Sequence, residues 1–162
     1  MPVKLGAQNI SPFAQGAYTG EINAAQAREF AEYVLIGHSE RRTHFSETDA
    51  MLVAKVKQAL SVGLEPIFCI QNAQTAIPDG VTIVAYEPVE AIGSGHPDTP
   101  EDAEAVSQAV KATYPSVQTV LYGGSVKANN VQDFTSVSSI DGVLVGGASL
   151  DAEQWGKIIT NA

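Results

Sequence analysis

The chain has 162 residues, 44% of them hydrophobic, which suits one domain with a sizeable core and is too little for two. Its formal charge of −9 excludes nucleic acid and anionic membrane as partners, since both call for basic patches. No apolar run reaches the ~18 residues of a membrane span, and the N-terminus has no basic-then-apolar leader pattern, so a cytoplasmic protein is expected. In chain order, Val3 to Ala7 reads as a strand, Ala24 to Glu32 as a helix and Tyr33 to Gly37 as a strand. Asp49 to Val62 reads as a helix that Gly63 stops, followed by a strand from Glu65 to Ile70. Strands are then expected at Thr82 to Tyr86, Thr119 to Gly123 and Gly142 to Gly146, with helices at Pro100 to Thr113, Ala128 to Thr135 and Ala152 to Ile159. Six strands alternating with helices, without a linker or low-complexity stretch, predict repeated βα units and a parallel α/β fold over residues 1–162. One crossover is nearly stripped, because Gln71 to Gly80 is enough for about two helical turns. The single cysteine, Cys69, lies in the apolar run Pro66 to Ile70 and reads as a small core residue.

Polar residues and glycines collect where these strands end, on the rim where α/β folds place their chemistry. Pro88 forbids regular continuation of the strand just after Glu87, so Glu87 sits where strand becomes loop and reads as a catalytic base. Behind it runs Ala91-Ile92-Gly93-Ser94-Gly95, a glycine-punctuated loop read as a lid. His38 follows the strand Tyr33 to Gly37 directly, and Ser39 is expected to cap a helix there. A histidine at a helix N-terminus is pushed towards its neutral, hydrogen-bond-donating form by the helix dipole. Gly123-Gly124-Ser125 and Gly146-Gly147 end two further strands, and paired glycines let backbone N–H groups approach an anion closely. Together these turns read as a split phosphate cradle that needs no lysine. His44 and His96 lie on polar stretches and are expected to be solvated.

Gly37-His38-Ser39-Glu40-Arg41-Arg42, Tyr86-Glu87-Pro88-Val89, Ala91-Ile92-Gly93-Ser94-Gly95, Tyr122-Gly123-Gly124-Ser125-Val126 and Leu144-Val145-Gly146-Gly147-Ala148-Ser149-Leu150 stand in an order that resembles the triosephosphate isomerase family. Gly6-Ala7-Gln8-Asn9 and Gly16 to Glu21 resemble its third strand and its subunit-interlocking loop, so the likeness covers essentially the whole chain. It implies an incomplete TIM-type (βα) barrel of about six parallel strands. The activity it implies is the interconversion of dihydroxyacetone phosphate and D-glyceraldehyde 3-phosphate through an enediolate, in glycolysis and gluconeogenesis, without cofactor or metal. Glu87 would move the proton between carbons and neutral His38 would polarise the carbonyl, the roles for which the family is known. Gly93, Ser125, Gly146 and Gly147 would hold the phosphate, with Ser39 and Glu40 behind His38.

Departures from the family pattern shape the remaining expectations. Before Gly6 a family member carries two further βα units, including a strand with an Asn and a Lys that contact substrate, whereas this chain offers Met1 to Leu5. The chain is expected to be a natural short form. Glu40, which pairs with that Lys in the family, is left seeking a cation, for which Arg41 and Arg42 are candidates. Lys127 is a candidate beside the phosphate cradle, and Lys4 is expected at the opposite, amino-terminal rim. Glu90 stands where many members place Trp in the lid hinge. Six strands cannot close an eight-stranded barrel, so subunits are expected to associate through the open side. The alternative is a weakly active or inactive partial barrel that binds triose phosphate or takes its missing strands from a partner chain.

Overall fold

A computed structural model describes residues 3–89 and 98–162. The chain divides into two units, Met1–Cys69 with Ala76–Thr82 and Ile70–Thr75 with Ile83–Ala162. Among the described residues no helix is long and apolar enough to cross a membrane.

The first unit holds β1 (Gly6–Ala7), β2 (Tyr33–Ile36) and most of β3 (Glu65–Ile70), with α1 (Ala24–Arg28), α2 (Ser39–His44) and α3 (Asp49–Ser61). The strands are parallel in chain order, with Gly6 opposite Tyr33 and Tyr33 opposite Glu65. Thr48 caps α3 by accepting the Met51 amide, and Gly63 follows its end at φ 71°, a conformation that glycine adopts without strain. Leu52, Lys55, Val56 and Ala59 form the buried stripe of α3 at the spacing of one helical face. Leu52 and Val56 pack in the core that also takes Val34, Ile36, Leu64 and Phe68. Burying each such side chain contributes roughly 1.5–3 kcal/mol. α1 is shorter than the expected Ala24 to Glu32. Asn23 and Gln26 form a capping box at its start, but at its other end Glu32 donates to the Leu5 carbonyl to enter the sheet, which ends the helical pattern early. β1 likewise contracts to two residues.

The second unit holds Ile70, β4 (Ile83–Tyr86), β5 (Thr119–Tyr122) and β6 (Gly142–Val143), with α4 (Pro100–Thr113), α5 (Val131–Thr135) and α6 (Ala152–Asn161). Ile83 lies opposite Thr119 and Leu121 opposite Gly142, again in parallel. Thr99 caps α4 and Pro100 opens it, a position where the missing N–H costs nothing. Its buried stripe, Ala103, Ser107 and Val110, faces a core built from Val84, Val120, Tyr122 and Phe134. The Tyr122 and Phe134 rings stack at 3.8 Å between centroids. α5 begins at Val131, not at the expected Ala128, because Asn130 spends its side chain locking the preceding turn to the Lys127 amide and the Ser125 carbonyl. Residues 71–82 contain no helix, fewer than the roughly two turns for which the crossover had room.

Candidate active site

In the first unit the chain turns at Gly37, whose φ of 81° lets β2 pass directly into α2. A Cβ there would lie 3.1 Å from the Arg42 guanidinium and 3.2 Å from Leu52, so the conformation favours glycine and the space is tight. His38 follows, and it corrects the expectation for Ser39. The N-cap of α2 is His38 itself, whose Nδ1 accepts the Glu40 amide at 3.3 Å, while Ser39 is the first helical residue. An Nδ1 that accepts a backbone N–H carries no proton, which favours the tautomer with hydrogen on Nε2. The Glu40 carboxylate stands 4.0 Å from the same Nδ1 and is largely exposed. That separation is the outer limit of an ion pair, and the capping bond outweighs it.

Arg41 and Arg42 do not serve Glu40; both are held by other partners. Arg42 donates Nε to the Gly37 carbonyl at 2.8 Å and Nη2 to the Cys69 carbonyl at 3.2 Å, and pairs with Asp49 at 3.1 Å. It thereby staples the turn that carries His38 to the end of β3. Arg41 pairs with Glu47, whose same Oε1 also accepts the ammonium of Lys55. Lys55, 2% exposed, donates in addition to Asn9 Oδ1 at 2.6 Å. Burial disfavours its charged form and lowers its pKa from the usual 10.5, against the pull of Glu47. Lys4, as expected, lies at the other end of the strands, paired with Glu32 at 3.0 Å and placed over the Tyr33 ring.

In the second unit Glu87 is 2% exposed at the end of β4. Its amide donates to the Ile70 carbonyl at 2.8 Å and its carbonyl accepts the Val89 amide at 2.8 Å, so the backbone that carries the carboxylate is fixed on both sides. The Gly123 amide donates to the Tyr86 carbonyl at 2.7 Å, which brings the first glycine turn against the base. A Cβ on Gly123 would sit 3.3 Å from Glu87 Cγ, and one on Gly124 would overlap the Tyr122 hydroxyl at 2.2 Å. Close approach therefore requires glycine at 124 and leaves a side chain at 123 little room. Ser125 is exposed at the head of this turn, and Lys127 is exposed two residues on. Gly146 and Gly147 are exposed after β6, and Gly147–Leu150 forms a 3-10 turn closed by Ser149 on the Gly146 carbonyl. Glu90, the lid Ala91 to Gly95 with Gly93, and His96 lie outside the described residues.

Two clusters escaped the sequence. Lys55 left a trace, a lysine on the apolar stripe of α3. Asp98 left none, yet burial raises its pKa above the ordinary 3.8 and one of its oxygens is buried with no partner among the described residues, while Tyr86 packs edge-on to Tyr122 at 6.3 Å.

Parallel strands that alternate with helices, with a histidine at a strand end in the first unit and a buried carboxylate and glycine turns at strand ends in the second, are the pattern of a (βα)-barrel type of enzyme. The triosephosphate isomerase family model matches residues 1–83 and 78–162, and its two matches meet in the short crossover. A triosephosphate isomerase of Mesomycoplasma hyopneumoniae is 40% identical over 181 residues, covering 99% of this chain and 75% of that protein. One from Coxiella burnetii is 41% identical, covering 96% and 74%. Both alignments are longer than this 162-residue chain, so these relatives carry residues that it lacks. The crystal structure of triosephosphate isomerase from Bartonella henselae superposes with a TM-score of 0.87 at 34% identity, covering 98% of this chain and 77% of that one. The chain belongs to the triosephosphate isomerase family, and its fold class is an incomplete TIM-type barrel, α/β, with six parallel strands.

Proposed function

We propose that this chain is an active triosephosphate isomerase that interconverts dihydroxyacetone phosphate and D-glyceraldehyde 3-phosphate in the cytoplasm. The observation that carries the reading is the buried Glu87 carboxylate at the end of β4, its backbone fixed on both sides and a glycine turn pressed against it. In the forward direction Glu87 takes a proton from the hydroxymethyl carbon beside the carbonyl. The electrons of that C–H bond form the carbon–carbon double bond, and the carbonyl π pair moves to oxygen as the enediolate. His38 donates its Nε2 proton to that oxygen, a role for which its occupied Nδ1 suits it, and takes the hydroxyl proton from the oxygen on the first carbon in return. Glu87 then delivers its proton to the carbon that bore the carbonyl as the first carbon becomes the aldehyde. Ser125, Gly146 and Gly147, with Gly93, bind the phosphate through backbone N–H groups, which fits an acidic chain.

Self-association belongs to the same reading. Among the described residues β1 is bonded to β2 alone, and Leu5, Ile22 and Phe30 are exposed around it, Phe30 at 76%. A second copy of the chain covering this edge would remove both the unpaired strand and the apolar surface. A monodisperse monomer at micromolar concentration in light scattering would overturn that part. The catalytic part is tested by a coupled isomerase assay on the purified chain beside Glu87→Gln. The variant is expected to lose roughly a thousandfold in kcat, within the range of a general base, while still being stabilised by phosphoglycolate. Equal turnover in both proteins would overturn it.

A further inference from the structure

The register of β2 on β3 ends with Ile36 opposite Phe68, and Gly37 and Cys69 are the next residue on each strand. At Gly37 a φ of 81° turns the backbone away towards α2, and beyond that point one side chain bridges the two strands. Arg42 of α2 donates Nε to the Gly37 carbonyl at 2.8 Å and Nη2 to the Cys69 carbonyl at 3.2 Å. The rigid fork of a guanidinium reaches two carbonyls at once, which the point charge of an ammonium does not. Phe68 backs the group, its ring centroid 5.8 Å from the guanidinium carbon, and Asp49 at the start of α3 takes Nη1 at 3.1 Å. The Arg42 side chain is 15% exposed, so these charge-assisted bonds are made where water competes little.

The Gly37 carbonyl belongs to the peptide bond that carries the His38 nitrogen, so the Arg42 Nε bond fixes the plane from which His38 starts. On the other side, the His38 carbonyl accepts the amides of Arg41 at 2.9 Å and Arg42 at 3.1 Å, and its Nδ1 accepts the Glu40 amide at 3.3 Å. Arg42 thus holds the histidine before and after, by its side chain and by its own amide. The Cys69 bond ties the whole turn to a strand whose Phe68 and Cys69 are buried. We propose that Arg42 is a positioning residue for the isomerisation, whose guanidinium bridges the Gly37 and Cys69 carbonyls and so aims the His38 imidazole at the substrate oxygen. A misplacement of about 1 Å at such a group costs about a hundredfold in rate, so the bridge matters to turnover beyond what it adds to stability.

This inference rests on the isomerase reading, and its test separates the two. Isomerase kinetics and thermal unfolding are measured for the full chain as wild type, Arg42→Lys, Arg42→Ala and Asp49→Asn, and the His38 ring nitrogens are followed by NMR in each. Arg42→Lys keeps the charge and loses the fork, so kcat is expected to fall about tenfold with KM changed less than about twofold, the phosphate turns lying on other strands. Arg42→Ala is expected to lose about a hundredfold in kcat, part of which guanidinium ion at a non-denaturing concentration restores. Asp49→Asn removes only an exposed partner and stays within about twofold of the wild type. The wild-type His38 signals are those of the tautomer with hydrogen on Nε2, and in both Arg42 variants they move towards a mixture of tautomers, which a loss of stability alone does not produce. If Arg42→Ala does not fold, Arg42→Lys decides. Wild-type kcat and unchanged His38 signals in folded Arg42→Lys overturn the proposal and leave the isomerase reading standing. A loss in Asp49→Asn as large as that in Arg42→Lys also overturns it, since the ion pair and not the carbonyl bridge is then the hold. A wild type without turnover overturns both readings, and the parent protein alone reveals it.

Discussion

The end of β2 and the end of β4 solve the same problem, holding one polar side chain at a strand terminus, by different physics. His38 is held by charges. Arg42 grips the Gly37 and Cys69 carbonyls, Arg41 is bound by Glu47, and Lys55 reaches from the buried face of α3 to Glu47 and Asn9. Glu87 is held by backbone and rings. The Ile70 carbonyl takes its amide, the Tyr86 carbonyl takes the Gly123 amide, and Tyr122 stacks on Phe134 below the turn.

Removing a charge should therefore damage the first region far more than the second. Glu47→Gln leaves Lys55 and Arg41 without their shared carboxylate in a buried place, and stability in denaturant should fall by about 3–5 kcal/mol. A change below about 1 kcal/mol, the scale of an exposed pair, would show the network to be ornamental. Crowding should damage the second region more. Gly124→Ala drives a Cβ into the Tyr122 hydroxyl, and a loss of about 1–3 kcal/mol with weakened phosphoglycolate binding is expected. Unchanged binding would mean that the turn does not carry the phosphate. The smallest effect sharpens the comparison at alkaline pH. Burial pushes Tyr122 up to about 12 from the ordinary 10.0, so the folded chain keeps a proton that the unfolded chain loses. Its contribution is whole below pH 10 and is lost as the pH rises through about 12. Tyr86 shifts in the same direction, so Tyr122→Phe should reduce the alkaline slope of the melting temperature without abolishing it. An identical slope would contradict the assignment.

The βα alternation, the strand-end positions of Glu87 and His38 and the glycine turns were legible because each depends on local signals: apolar runs, a proline after a strand, and glycines where the backbone must pass close to another group. Boundaries were less so. β6 ends at Val143 where the apolar run continues to Val145, because the Leu144 amide to the Tyr122 carbonyl is its last bond to β5. α2 begins at Ser39 with His38 as its cap because an imidazole can cap as a serine does, and spacing alone does not reveal which side chain reaches the Glu40 amide. The pairing of Arg42 with the Cys69 carbonyl and of Lys55 with Asn9 joins residues far apart in the chain, so only the fold brings them together.

The central claim, that Glu87 carries a proton between the two carbons of a triose phosphate, is tested most directly by turnover in heavy water. Dihydroxyacetone phosphate is incubated with the wild-type chain and with Glu87→Gln, and the product is read by proton NMR for deuterium on carbon. A carboxyl group that holds the transferred proton exchanges it with solvent, so the wild type should give product that carries deuterium at the carbon beside the new carbonyl, and Glu87→Gln should give neither product nor label. Labelled product formed at an undiminished rate by Glu87→Gln would contradict the account.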